Sequence, residues 1–302
     1  MFVYGALRSG STLLRLMLDG HPRLSCPGES DFMFDYVSVR GGIRALDIDR
    51  LRGDWIFAGL GFDLPGGSAE TAVLSLADQV RKGCDIGVMV LHRGIDRALD
   101  FFGDARIIHL VRDPRDVARS SVPMGWAGNA YCGVDHWIRT EEAWTAVQHR
   151  LAPGQVLEVR YEDLVRSPEA VLTRICDFAG IPYDPAMMHY DQRSSYARPD
   201  PEKAEQWRKR LTPREVAQLE AKLGARLFSH GYRASGHPPV SPGAFADIAL
   251  RLQSKHKVWS RKFGDYGVVD PIMVTVAQRM RLPDLASGAK KRIEMKMIAG
   301  LK

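Results

Sequence analysis

Short, mostly apolar runs alternate along the chain with longer stretches in which apolar residues return every three or four positions. The runs fall at residues 2–4, 86–91, 107–111 and 156–159, and each is followed by turn or helix-start chemistry. Runs this short, without strict alternation of polar and apolar residues, predict strands buried on both faces and therefore parallel. The longer stretches predict helices at 11–19, 69–81, 95–102, 114–121, 134–150 and 169–179. Asp113-Pro114 and Ser167-Pro168 each set a capping oxygen before a proline suited to the first helical position. Thr212-Pro213 does the same for a helix over 214–223, with Gly224 as its stop. Alternating strand and helix imply an α/β layered fold whose ligand lies beyond the carboxyl ends of the strands. The proline-rich segment 237–243 predicts a linker between a main domain, 1–236, and a basic, partly helical C-terminal extension, 237–302.

Charge narrows the partners. Lys and Arg number 42 against 36 Asp and Glu, a net charge of +6, so an anionic ligand or surface is expected. Much of the excess lies in 255–302, where contact with an anionic membrane surface is one use for it. No basic block interleaved with aromatics marks a nucleic-acid face. No apolar run approaches the roughly 20 residues of a membrane span, and no signal-peptide pattern precedes the first strand. Cys26, Cys84, Cys132 and Cys176 are far apart and form no metal-ligand spacing. They predict free thiols in a reducing cytoplasm, without a zinc motif or disulfide framework. Monomer and homo-oligomer both remain open.

Two segments carry candidate chemistry. Gly5-Ala6-Leu7-Arg8-Ser9-Gly10-Ser11-Thr12 has the glycines of a Walker A loop, at Walker spacing, between a strand and a helix. Such a bend points backbone N–H groups and the positive end of a helix at a phosphate. Ser11 stands where an ATP-binding loop needs lysine, so ATP hydrolysis is not expected. Arg8 and the hydroxyls of Ser9, Ser11 and Thr12 suit a 5′-phosphate bearing a second anionic group, which a planar guanidinium can bridge. In the second segment, 106–120, Arg112 ends a buried strand and Ser120 lies about two turns inside the next helix, where both can grip one phosphate.

Together these segments resemble the PAPS-dependent sulfotransferases, whose signatures are a 5′-phosphosulfate loop and a 3′-phosphate motif. Residues 8–22 look most like the tyrosylprotein and carbohydrate sulfotransferase branch. The resemblance covers about residues 1–235 and is strong at the two motifs. It implies a P-loop-kinase-like parallel sheet flanked by helices and 3′-phosphoadenosine-5′-phosphosulfate (PAPS) as sulfuryl donor, with no metal required. By position, Arg8, Ser9, Gly10, Ser11, Thr12 and Leu13 would hold the 5′-phosphosulfate, and Arg112 and Ser120 the 3′-phosphate. Tyr161, in Val159-Arg160-Tyr161-Glu162-Asp163-Leu164, is similar to a strand-ending tyrosine that lies near the nucleotide.

Sulfuryl transfer needs an in-line hydroxyl acceptor, a base for its proton, and groups that stabilise the departing phosphate. Glu29 is the first candidate base, in a Pro-Gly turn that can return to the strand ends, and it matches the branch's catalytic glutamate to within one position. His92, at the end of run 86–91, is the second, and Arg93 stands near the place of a transition-state lysine in relatives. The acceptor, a hydroxyl on a carbohydrate, phenol, tyrosine or lipid alcohol, is expected against 41–67 and 123–136, where Trp126, Tyr131 and Trp137 offer stacking faces. Two alternatives remain. A nucleotide kinase shares the loop but needs the missing lysine, and a non-catalytic nucleotide-binding protein would lack a working base.

Overall fold

The computed structural model describes residues 1–40, 43–280, 288–293 and 295–296. The first two residues of the expected acceptor segment, Gly41 and Gly42, and part of the basic tail lie outside them. Eight strands occur in chain order among the described residues: β1 (Phe2–Tyr4), β2 (Leu24–Ser25), β3 (Val37–Arg40), β4 (Ile43–Leu46), β5 (Ile86–Gly87), β6 (Met89–Leu91), β7 (Ile107–Val111) and β8 (Val156–Arg160). Four of them form an all-parallel sheet in the order β6-β1-β7-β8. This is the expected α/β architecture.

The sheet is buried on both sides, as the short unalternating runs require. Val3, Val90, Ile108, Leu110 and Val159 face the helices Ser11–Leu18 and Pro168–Ala179. Phe2, Tyr4, Met89, Leu91 and Ile107 face Ala69–Arg81, Ile95–Phe101 and Asp135–Val147. The helices Ala69–Arg81 and Pro114–Ser121 have the limits the sequence predicts, and Ser68 and Asp113 fix their starts by each accepting a first-turn N–H.

Three expectations are corrected. Run 86–91 is not one strand: β5 pairs with β2 and β6 with β1, and the exchange of partner breaks the run at Val88. The helix expected over 134–150 ends its α-helical part at Val147, passes into a 3-10 turn, and is preceded by a separate short helix, Ala130–Gly133. Gly133 packs so closely on the preceding helix that an added Cβ would lie 2.5 Å from the Ala118 carbonyl. Of the three aromatics proposed for the acceptor, Trp137 is fully buried in a core cluster, and Tyr131 is buried with its hydroxyl donated to Asp247. Only Trp126 stays half exposed. In the other acceptor segment, residues 43–67 hold β4, paired antiparallel with β3, and the helices Ile48–Arg52 and Trp55–Leu60.

Beyond 243 the chain forms the helices Ala244–Tyr266 and Val269–Met280. The first packs on the 123–133 loop: Gly128 N–H donates to Ser254 Oγ (2.9 Å) and the Asn129 amide to the Leu250 carbonyl (2.8 Å). No helix among the described residues is long and apolar enough to cross a membrane.

Candidate active site

Each strand of the parallel sheet hands over a residue singled out in the sequence at its carboxyl end. Gly5 follows β1, His92 follows β6, Arg112 follows β7 and Tyr161 follows β8. Because the strands are parallel and in register, these residues converge on one edge, the position expected for a ligand in an open α/β sheet.

The loop after β1 bends through Arg8 at φ 73° and Gly10 at φ 94°. Gly10 needs its missing side chain twice, since a Cβ would also lie 2.3 Å from the Tyr161 ring. At Gly5 a Cβ would lie 2.1 Å from the Leu110 carbonyl, so β1 and β7 approach only because this residue is glycine. The first backbone bond of the following helix is Leu14 N–H to the Gly10 carbonyl, which leaves the N–H groups of Ser11, Thr12 and Leu13 at its open, positive end. Leu13 sends its side chain into the core, so only its backbone is available to a ligand.

The two expected grips meet at Arg8. Its Nε–H donates to Ser120 Oγ (2.9 Å), while its carbonyl accepts from Arg112 (2.9 Å). Arg112 also donates to the Lys203 carbonyl (2.9 Å), stacks over Tyr161 at 4.1 Å and lies 3.7 Å from the Asp116 carboxylate. Asp113 is taken by Arg115, which holds it through two guanidinium bonds and contacts Glu220 as well. Arg119 joins the cluster without appearing among the sequence candidates. Burial, then the fields of Arg112, Arg210 and Arg8, push its pKa down, and Arg8 is lowered by burial and by Arg112. Guanidiniums that depress one another in this way form a standing demand for negative charge.

The second cluster is Glu29, His92 and Asp31. Arg15 donates to the carbonyls of Cys26 and Pro27, and Asp19 accepts from the Cys26 N–H, so the first helix fixes the turn that carries Glu29. That turn does return to the strand ends, with Glu29 bridged to Val90. His92 is buried, and its Nδ1–H donates to the Gly5 carbonyl (2.8 Å). Its Nε2 faces Glu29 at 3.7 Å and Ser11 Oγ at 3.5 Å. Burial opposes a charge on His92, but the nearby carboxylates of Glu29 and Asp31 outweigh it and hold the pKa above the ordinary 6.5. The same contact with His92 holds Glu29 below its ordinary range. Asp31, buried, accepts from the backbone N–H groups of His92 and Arg93 and fixes the turn between them.

A cleft enclosing about 70 Å³ is lined by Arg8, Gly10, Ser11, Thr12, Glu29, Arg112, Tyr161, Trp126 and Tyr196, together with Leu7. Most of the sequence candidates are therefore together. Ser9 lies beneath the loop, buried, and Arg93 lines a neighbouring cavity of about 300 Å³ that it shares with His92, Tyr4, Leu7, His136 and Arg139. The Arg93 guanidinium is held by Asp35 through two bonds (2.8 and 2.5 Å) and lies 3.5 Å from Asp31. Asp31, Arg119 and Tyr196 were not singled out in the sequence. Only Asp31 has a local signal, a third polar residue after Glu29-Ser30.

A donor with anions at both ends of a nucleoside fits this residue set. Ser9 Oγ, Arg112 Nε and Arg119 Nε are buried donors without a hydrogen-bond partner, and all three belong to the loop and strand-end segments. The enclosed volume takes anionic groups, not a whole nucleotide, so the rest of such a ligand would lie across the mouth of the cleft.

Fold and site define a P-loop-like α/β protein with an arginine-rich anion cleft at the sheet's carboxyl edge. The sequence profile of the sulfotransferase family matches residues 1–80 and 87–185, more than half of the chain, and the protein belongs to that family. It is 23% identical over 292 residues to the protein-tyrosine sulfotransferase of Drosophila melanogaster, covering 87% of this chain and 58% of that one. To protein-tyrosine sulfotransferase A of Caenorhabditis elegans it is 24% identical over 203 residues, 64% of this chain and 52% of that one. The chain thus spans little more than half the length of these relatives. Among solved structures it resembles the sulfotransferase domain of the Synechococcus PCC 7002 olefin synthase, with TM-score 0.55 and 26% identity over 70% of this chain and 88% of that one. The sulfotransferase domain of the curacin biosynthetic pathway shares the fold, with TM-score 0.55 and 21% identity over 74% and 96% of the two chains.

Proposed function

We propose that the protein transfers the sulfuryl group of PAPS to a hydroxyl acceptor, with Glu29 and His92 acting as one basic unit. The observation that carries this reading is the cluster of Arg8, Arg112 and Arg119 around the glycine loop, with buried donors left over for a polyanion. When bound, PAPS supplies an activated sulfuryl group on a phosphate leaving group. The loop N–H groups and Arg8 hold the phosphosulfate end and stabilise the charge that develops on the departing phosphate. Arg112 and Ser120 hold the 3′-phosphate, and Tyr161, packed on Gly10 and Arg112, keeps the two grips in register.

Glu29 lines the cleft and is part exposed, while His92 stands behind it with Nδ1–H committed to Gly5. The pair therefore accepts one proton at the Glu29 carboxylate or at His92 Nε2, as the acceptor oxygen bonds to sulfur and the sulfur–phosphate oxygen bond breaks. Asp31 positions His92 through its backbone, and Arg93, held by Asp35, acts on the same turn. The acceptor approaches through the cavity that shares Leu7 with the donor cleft and His92 with the basic pair.

The test is transfer of radiolabelled sulfate from PAPS to a panel of tyrosine peptides, phenols and oligosaccharides, with adenosine 3′,5′-bisphosphate measured as co-product. E29Q and H92N are expected to lower turnover by about 10²-fold or more, as loss of a general base does, with donor affinity retained. Absence of donor binding by calorimetry overturns the reading. Donor binding without transfer to any of the panel, and without an effect of either variant on co-product release, favours a binding protein instead.

A further inference from the structure

A separate cavity of about 550 Å³ lies away from the donor cleft, walled by Trp137, Trp144, Glu141, Glu158 and His230. Behind it, His109 on β7 is directly opposite Glu158 on β8 in the ladder, Glu141 comes from the helix Asp135–Val147, and His230 from the turn after residues 224–228. One ligating atom each from His109, Glu158 and His230 lies within 4.8 Å of the other two. These residues are far apart in sequence, so no ligand spacing announces them.

The four side chains are arranged in two layers. Glu158 faces the Nδ1 atoms of both imidazoles, at 2.8 Å from His230 and 4.0 Å from His109. Glu141 faces the Nε2 atoms of both, at 2.9 Å and 3.4 Å. His109 is 1% exposed, stacked on Trp144 at 4.3 Å between ring centroids, and its Nε2 has no hydrogen-bond partner. Glu141 Oε1, also buried, has none either. The hydrogen bonds of the cluster all run through His230, which reaches Glu141 and Glu158 at once and leaves the second imidazole unserved.

We infer that His109 Nδ1, His230 Nδ1 and Glu158 form a site for one divalent transition cation of the zinc type, with Glu141 holding both imidazoles from the other side. Coordination through Nδ1 would fix both rings as Nε2–H tautomers and give Glu141 two donors, one for each oxygen, which pairs both of the orphaned atoms. A histidine that binds metal with one nitrogen and a carboxylate with the other is the usual way such a ligand is oriented. Two imidazoles and a carboxylate, with a fourth position open toward a cavity, suit tetrahedral zinc. Donors about 2.0–2.2 Å from the ion stand about 3.3 Å apart. The present 2.8 and 4.0 Å fall on either side of that spacing. His109 and Glu158 each lie three positions before a donor-site residue, Arg112 and Tyr161, so the ion would tie together the two strands that present them.

The test uses the full chain without a histidine tag, stripped with chelator and titrated with Co²⁺ and then Zn²⁺. One equivalent of Co²⁺ giving the intense visible bands of a tetrahedral site, bleached by Zn²⁺, is expected, together with a rise in Tm. Glu158 is part exposed, so E158Q should fold. E158Q and H230Q should abolish the bands, E141Q should weaken binding about 10–100-fold, and E29Q should leave the titration unchanged. A folded wild-type chain that gives no tetrahedral spectrum in metal excess overturns the inference. So does binding that survives both E158Q and H230Q, or that is lost in E29Q, which would assign the ion to the Glu29, Asp31 and His92 group.

Discussion

Arg112→Ala tests the proposed division between the two grips on the donor: on that reading Arg112 serves the 3′ end directly, and the loop only indirectly, through the Arg8 carbonyl and the Tyr161 ring. The residue is 7% exposed, and its guanidinium has two N–H groups committed to carbonyls, with Nε left over. Removing one partner of a buried, charge-assisted contact costs about 2–5 kcal/mol, or about 30- to 5,000-fold in Kd. Adenosine 3′,5′-bisphosphate should lose affinity in that range. Adenosine 5′-monophosphate lacks the 3′-phosphate and is held by a loop that keeps its glycines, helix end and Arg8. What the loop loses is indirect, the support given to the Arg8 carbonyl and to the Tyr161 ring, an effect of about tenfold at most. The ratio of the two affinities should therefore fall by at least about threefold, and by up to several hundredfold. Calorimetry with both nucleotides measures it, below the Tm of the variant, since buried Asp116 loses one cationic neighbour but keeps the Trp207 N–H at 2.7 Å. Equal losses for the two ligands would refute the assignment of Arg112 to the 3′-phosphate.

A proton on the Glu29–His92 pair blocks its use as a base, and His92 is held above 6.5, so kcat/KM should rise with pH to an inflection above that value. In E29Q burial of His92 is less opposed and the inflection should move down; a profile that is flat across about pH 6–9, or unmoved by E29Q, counts against the pair. Gly10→Ala forces a side chain onto Tyr161 at φ 94° and should weaken nucleotide binding by about tenfold or more, measured by calorimetry, while the sheet stays folded by circular dichroism. Arg8→Ala and Ser120→Ala should be non-additive for donor binding, with a coupling of about 1 kcal/mol or more in a double-mutant cycle, since the two side chains share a bond; strict additivity would mean that the bond plays no part in binding.

What was legible in the sequence was local. The loop could be read because its glycines are demanded by contacts within one strand–turn–helix unit, and Arg112 because it ends a run apolar enough to be a buried strand. The start of the helix at 114 could be read from Asp113, whose cap lies next to the helix it starts. The break at Val88 could not, because it is caused by a change of partner strand, nor could the part of Arg119, whose neighbours Arg8 and Arg210 are brought in by tertiary folding. Trp137 and Tyr131 were misjudged for a related reason. Aromatics at helical spacing read the same whether they face a ligand or, as here, the core and a helix more than a hundred residues later.

That later helix also holds one wall of the candidate cleft. The match to the sulfotransferase family ends at residue 185, while Ala244–Tyr266 grips the loop on either side of Trp126, which with Tyr196 is one of two half-exposed aromatics lining the cleft. At Gly128 an added Cβ would lie 2.5 Å from the Ser254 carbonyl. Gly125, at φ 74°, sits against Arg261, whose guanidinium donates to the Pro123 carbonyl (2.5 Å). A loop pinned at both shoulders in this way cannot carry Trp126 far, so the indole stands as a fixed wall beside Arg8, whose guanidinium lies 5.9 Å from the ring. The groups proposed to hold the donor thus come from the segment matched by the family profile. One outer wall of the cleft is held by a helix beyond that segment, so on the proposed function a change in this helix can alter acceptor choice while leaving the proposed donor grip in place.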